Sequence, residues 1–112
     1  LNSAFLEESR GSAANFDLIC FLSQQGVEKL IKGALISHNV VVPKSHDLVQ
    51  LHRMLAAIES RWSWDEAELQ WLSISAAAYR YPGEDADEET AHRAANIARR
   101  VRDAMASLLP MR

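Results

Sequence analysis

Between Phe16 and Ser37 the apolar residues return at every third or fourth position, and this spacing most constrains what the chain can fold into. Phe16, Ile19, Cys20, Val27, Leu30, Ile31, Ala34 and Leu35 fall on one face of a helix. Leu18, Leu22, Gly26 and Gly33 lie off that face. A helix apolar on two sides is expected to have two neighbours, and the small residues would let one of them approach closely. Asn15 or Ser12 is suited to cap its start.

The same period governs the rest of the chain. Leu1 to about Ser9 reads as the end of a helix, broken by Arg10-Gly11-Ser12. The sequence opens on Leu1 rather than methionine, so a first helix cut short is expected. Residues 38–45 read as a loop, because Val40-Val41-Val42 is too short and isolated for a strand and Pro43 ends it. Ser45 is suited to cap a third helix, with Asp47 complementing its positive end and Leu48, Leu51, Leu55 and Ile58 as its buried stripe. Ser63 and Glu66 have capping-box spacing, which predicts a fourth helix opening at Ser63. Leu69, Leu72, Ala76 and Tyr79 form one apolar line on it. Trp64, Ala67, Trp71, Ile74 and Ala78 form another, so it is expected to be largely buried.

Tyr81-Pro82-Gly83 is a turn signal. The acidic run "EDADEET" reads as a solvated helix start and lacks the ligand pattern of a calcium loop. Ala91, Ala94, Ala98, Val101, Met105 and Leu108 form the stripe of a last helix ended by Pro110, while Arg93, Arg99, Arg100 and Arg102 face elsewhere. The expectation is one all-α domain over residues 1–112, an antiparallel up-and-down helical bundle of four main helices plus a short or truncated one.

Composition limits the function. A net charge of −3 argues against a general nucleic-acid coat, which needs a large positive excess to displace counterions. The single cysteine, Cys20, cannot form an internal disulfide; it fits a reducing, cytoplasmic setting and reads as a small buried hydrophobe. No apolar run approaches a membrane span. His38, His46, His52 and His92 lack zinc-site spacing, and no phosphate loop or dinucleotide fingerprint is present, so no metal or cofactor is expected. Trp62, Trp64 and Trp71 are more tryptophan than one small bundle easily hides. With the two-sided second helix, they lead to the expectation of a homodimer.

The residues able to carry chemistry cluster around the second helix. Gln24, Glu28 and Lys32 are spaced by four, as are Gln25 and Lys29 beside them, and Glu28 to Lys32 is the favourable order for a helical ion pair. A following loop and helix start could bring Lys44 and His46 to Lys29 and Lys32, with Arg80 joining from the end of the fourth helix. Cations beside a helix N-terminus suit an anion or phosphate. Glu28 and Asp47 would partly neutralise the same cluster, which equally describes an internal salt-bridge network.

"CFLSQQGVEKLIKG", then "PKSHDLVQL", then "AYRYPG" together resemble the HEPN family. The resemblance rests on Gln24, Gln25, Glu28, Lys29 and Lys32; on Pro43, Lys44, His46, Asp47 and Leu48; and on Arg80, Tyr81 and Pro82. It runs from about Phe16 to Leu109. It implies a helical bundle that commonly dimerises and a nucleotide-binding role, often beside a minimal nucleotidyltransferase. On that basis Gln24, Gln25, Lys29, Lys32, Lys44, His46 and Arg80 are nucleotide or phosphate contacts, supported by Glu28, Asp47 and Tyr81. Some HEPN proteins are metal-independent RNases, including toxins of toxin–antitoxin pairs, and those carry an arginine followed four to six residues later by histidine. Here the first histidine after Arg80 is His92, so a non-catalytic module is expected. A structural dimerisation or protein-interaction module is the alternative, and an RNase the third reading.

Overall fold

The computed structural model describes residues 2–9, 15–78 and 86–108. These form five helices: α1 (Asn2–Glu8), α2 (Phe16–Ser37), α3 (Leu48–Ile58), α4 (Glu66–Ala78) and α5 (Glu88–Leu108). No strand occurs among the described residues, and Val40 to Val42 are irregular as expected. The fold is therefore an all-α bundle, with α1 as its short member. None of the described helices is long and apolar enough to cross a membrane.

Each helix boundary has a local cause. Asn15 caps α2, its side chain accepting the Leu18 amide at 3.0 Å. At the other end Asn39 takes a left-handed backbone (φ 61). Its amide reaches the Ile36 carbonyl (2.9 Å) and the Val40 amide reaches Leu35 (3.0 Å), the paired closure that satisfies orphan carbonyls after a helix. Asn tolerates that conformation better than most side chains.

The cap of α3 is Asp47, whose carboxylate accepts the amides of Val49 and Gln50. Ser45, expected in that role, sits too early; its hydroxyl accepts the Asp47 amide and donates to Gln50. The expected capping box of α4 is also displaced. Asp65 caps it, accepting the Ala67 amide, and the helix begins at Glu66 rather than Ser63. The reason is tertiary. Trp62 is buried against His52, and Trp64 stacks on Trp62 at 5.5 Å, which keeps this segment out of a helix.

Long-range bonds set the helix directions. Ala86, ahead of α5, donates its amide to Asp17 at the start of α2 (2.6 Å). Near the end of α2 His38 meets Glu59, which holds Arg61, and Arg61 reaches the Leu108 carbonyl at the end of α5. Thus α2 and α5 run the same way, and they share the largest interface. Against them α4 runs in the opposite direction, since Arg93 lies over Trp71 and Arg100 bonds Glu68. The segment from Asn39 to Asp47 doubles back along α2, because His46 meets Glu28 well before α2 ends.

The core draws on every long helix. Ile19, Val27, Ile31 and Leu35 of α2 meet Leu48, Leu51 and Leu55 of α3, Leu69 and Leu72 of α4, and Ile97, Val101 and Met105 of α5, all essentially inaccessible. Over its first turns α5 buries mainly Ala91, Ala94, Ala95 and Ala98. Methyl groups of this size keep neighbouring helix axes close.

Three expectations need correction. Among the described side chains the fourth helix buries its Leu69–Leu72–Ala76 line and Ser75; on its second line Trp71 is partly buried, Ala67 is exposed and Ile74 is 58% exposed. Spacing alone does not say which apolar line meets a neighbour. Likewise Ile58, placed in the buried stripe of α3, is half-exposed. Of the tryptophans, Trp62 is core, while Trp64 and Trp71 are partly buried and pack against it under Arg100 and Arg93, the latter 4.0 Å from the Trp71 ring centre. Leu18 and Phe21 remain partly exposed on the second side of α2. Gly26 on that side is buried, whereas a Cβ added at Gly33 would meet nothing within 4 Å, so Gly33 permits no close packing. Tyr79, Tyr81 to Gly83 and Pro110 lie outside the described residues.

Candidate functional site

Glu28 organises the polar side of α2. Its carboxylate is buried and receives three donors. Gln24 Nε2 comes from one turn earlier (3.3 Å), Lys32 Nζ from one turn later (3.1 Å), and His46 Nδ1 from the doubled-back segment (3.0 Å). Spacing by four stacks the first three residues on one helical line. The turn before α3 supplies the histidine.

The protonation of this group follows from its partners. Burial alone would raise the Glu28 carboxyl, but the bonds from His46, Lys32 and Gln24, with the Lys32 charge, outweigh burial and hold it below its ordinary value. An ionised carboxylate only accepts, so the proton between the pair sits on His46 Nδ1 and leaves Nε2 outward. The His46 side chain is 78% exposed while the Glu28 side chain is 6% exposed.

A carboxyl whose folded-state pKa is depressed stabilises the fold above its unfolded value, and that contribution is lost as pH falls through the folded value. Glu28 should therefore weaken the protein below about pH 4.5, its ordinary value. In urea titrations the wild-type midpoint is expected to fall more steeply over that range than the midpoint of Glu28→Gln. Parallel curves would show that Glu28 contributes no such term.

Gln24 is fixed by the same logic. Its Nε2 faces two acceptors, Glu28 and the His46 carbonyl (3.4 Å), so its Oε1 must point away, where it accepts Gln25 Nε2 at 3.2 Å. Gln24, Gln25 and His46 form one wall of a groove of ≈ 320 Å³; Ser73, Ala76 and Ala77 of α4 form the other.

The structure thus joins Gln24, Gln25, Glu28, Lys32 and His46 in one network. Lys29 and Lys44 are exposed and make no hydrogen bond or ion pair among the described residues. Asp47 is occupied with capping α3, so the first amides of that helix already have an anion. Arg80 and Tyr81 lie outside the described residues. The α4 wall was not singled out from the sequence. Its only signal is the run "SISAAA", whose small side chains at positions 73, 76 and 77 leave room opposite the glutamines.

A second buried polar group lies at the α3–α4 end. Trp62 Nε1 donates to His52 Nδ1 at 3.0 Å, which places the His52 proton on Nε2, directed at Glu66 (3.4 Å). Arg53 holds Glu66 through two bonds of 2.8 and 2.9 Å. This chain ties α3, the Trp62 segment and the start of α4 together.

A family model described as HEPN domain matches residues 1–108. Searches of curated proteins and of solved structures give no match.

Proposed function

The chain belongs to the HEPN domain family, and from that premise we propose that it is a non-catalytic module that binds a nucleotide or nucleotide-like ligand in the groove between α2 and α4. In this reading it acts as a homodimer with a partner protein such as a minimal nucleotidyltransferase. The observation that supports it is the Glu28 carboxylate, which takes Gln24, Lys32 and His46 together and leaves Gln25 and the His46 Nε2 edge at a groove. Lys29 and Lys44, exposed and uncommitted among the described residues, are the cations left for phosphate. Arg80 is carried as a phosphate contact on the family resemblance alone.

Isothermal titration with ATP, GTP and their monophosphates should give a saturable isotherm with the chain or with its nucleotidyltransferase complex. Absence of heat from both would remove the proposal. A monomeric mass by light scattering at micromolar concentration would remove the homodimer part of it.

A second reading, a structural dimerisation and docking module, also has an observation behind it: Lys32 and His46 already have a partner in Glu28. The pair Lys29→Ala and Lys44→Ala separates the two. Unchanged nucleotide affinity favours the docking module, and reduced affinity in an equally stable protein favours the ligand site.

A further inference from the structure

We infer that the groove between α2 and α4 receives the uncharged ring of its ligand, a nucleobase read along its hydrogen-bonding edge by Gln25 and His46, and not the phosphate end. This rests on the nucleotide-binding reading above and specifies which half of the ligand the groove takes.

The charge around the groove is balanced. The ionised groups behind the Gln24–Gln25–His46 wall are Glu28 and Lys32, 3.1 Å apart and of opposite sign. The adjoining groove between α3 and α4 holds Asp47 and the Arg53–Glu66 pair, so no surplus cation enters from that side. Phosphate sites depend on cations or unpaired amides aimed at the oxygens. Here Lys32 is committed to Glu28, and the α3 amides are committed to Asp47.

The donors and acceptors that remain suit a base. With Gln24 fixed, Gln25 spends one N–H on Gln24 and keeps a second N–H and its Oε1. A carboxamide then offers a donor and an acceptor side by side, the pattern that complements the edge of a base. His46, with Nδ1–H held by Glu28, offers Nε2, an acceptor when the ring is neutral. Ser73, in the opposite wall, has an Oγ that is buried and finds no hydrogen-bond partner among the described residues, so a rotation that turned it to the groove would give a ligand a further polar contact.

The shape of the groove suits a ring. The α4 wall offers Ala76 and Ala77, whose methyl groups give a flat apolar strip without long side chains. The volume of ≈ 320 Å³ is at the small end of the range for small-ligand sites, about 300–1,000 Å³. It suits one ring system.

The test titrates adenosine, guanosine, AMP, GMP, ribose 5-phosphate and inorganic pyrophosphate into the full chain, bound to its partner if the chain alone is silent. At least one nucleoside is expected to bind within about tenfold of its nucleotide, while pyrophosphate and ribose 5-phosphate neither bind nor compete. Gln25→Ala and His46→Ala should each weaken nucleoside binding severalfold, the loss expected for one hydrogen bond, about 0.5–1.5 kcal/mol. Lys29→Ala and Lys44→Ala should leave nucleoside affinity unchanged. Ala77→Phe, at an exposed position, fills the groove without touching the network and should abolish binding while the thermal midpoint stays in place. Nucleotides that bind with competition from pyrophosphate, indifferent to Ala77→Phe, would overturn this inference and leave the nucleotide-binding reading standing. Silence from every nucleoside and nucleotide would overturn both.

Discussion

Replacing Trp62 with alanine should remove about 3–5 kcal/mol of folding stability, the usual cost of deleting a large buried aromatic. Trp62 is 3% exposed, packs in the central core and stacks on Trp64. The cost has a second part that a volume argument misses. Without the indole N–H, His52 Nδ1 is left buried with no donor, while its Nε2 stays directed at Glu66. An unmade bond of that kind costs about 1–3 kcal/mol. Trp62→Phe isolates this part, since it keeps an aromatic ring and loses the donor. Urea unfolding followed by far-ultraviolet circular dichroism should rank wild type above Trp62→Phe and Trp62→Phe above Trp62→Ala. A Trp62→Phe midpoint equal to wild type would mean that the His52 bond contributes nothing.

The second large effect is an overpacking one. Ala94 and Ala98 are fully buried on the helix that shares the largest interface with α2. Leucine is more apolar than alanine and nearly as good a helix former, so surface reasoning expects Ala98→Leu to be harmless. The packed seam has no room for three further carbons, and the added volume should cost about 1–3 kcal/mol or more through displaced side chains or a displaced helix. Ala106→Leu, on the exposed side of the same helix, should stay within about 0.5 kcal/mol of wild type. Equal midpoints for Ala98→Leu and Ala106→Leu would show that the seam is loose.

Most of the bundle was legible because apolar spacing of three and four is a local signal. The Ala91–Ala94–Ala98–Val101–Met105 line of α5 needed nothing but sequence, whereas the bond to the Leu18 amide was needed to identify Asn15 as the cap of α2. The misplacements come where two local signals compete or where a distant group decides. Ser45 and Asp47 are both capping residues, two apart, and only the distance to Val49 and Gln50 separates them. Ser63 and Glu66 look like a capping box, yet Glu66 is drawn to Arg53 and the tryptophans anchor the segment before it. For the site, the line Gln24–Glu28–Lys32 follows from helical geometry alone. That His46 joins it across eighteen residues does not; the loop and helix start after α2 admitted His46 and Lys44 alike, and only the fold selects His46. The α4 wall of the groove was invisible because small side chains signal space only when their neighbours are known.

Cys20 has a practical consequence. It is fully buried, and burial, with the negative charges of Asp17 and Asp87, pushes its thiol up to about 11. A thiol that stays protonated and inaccessible reacts poorly with maleimides and iodoacetamides near neutral pH. The chain has no other cysteine, so one introduced at Gln70, exposed beside the adjoining α3–α4 groove, would be singly addressable without first removing the natural residue. A fluorophore or spin label placed there would report ligand arrival or pairing of two copies in otherwise unaltered protein.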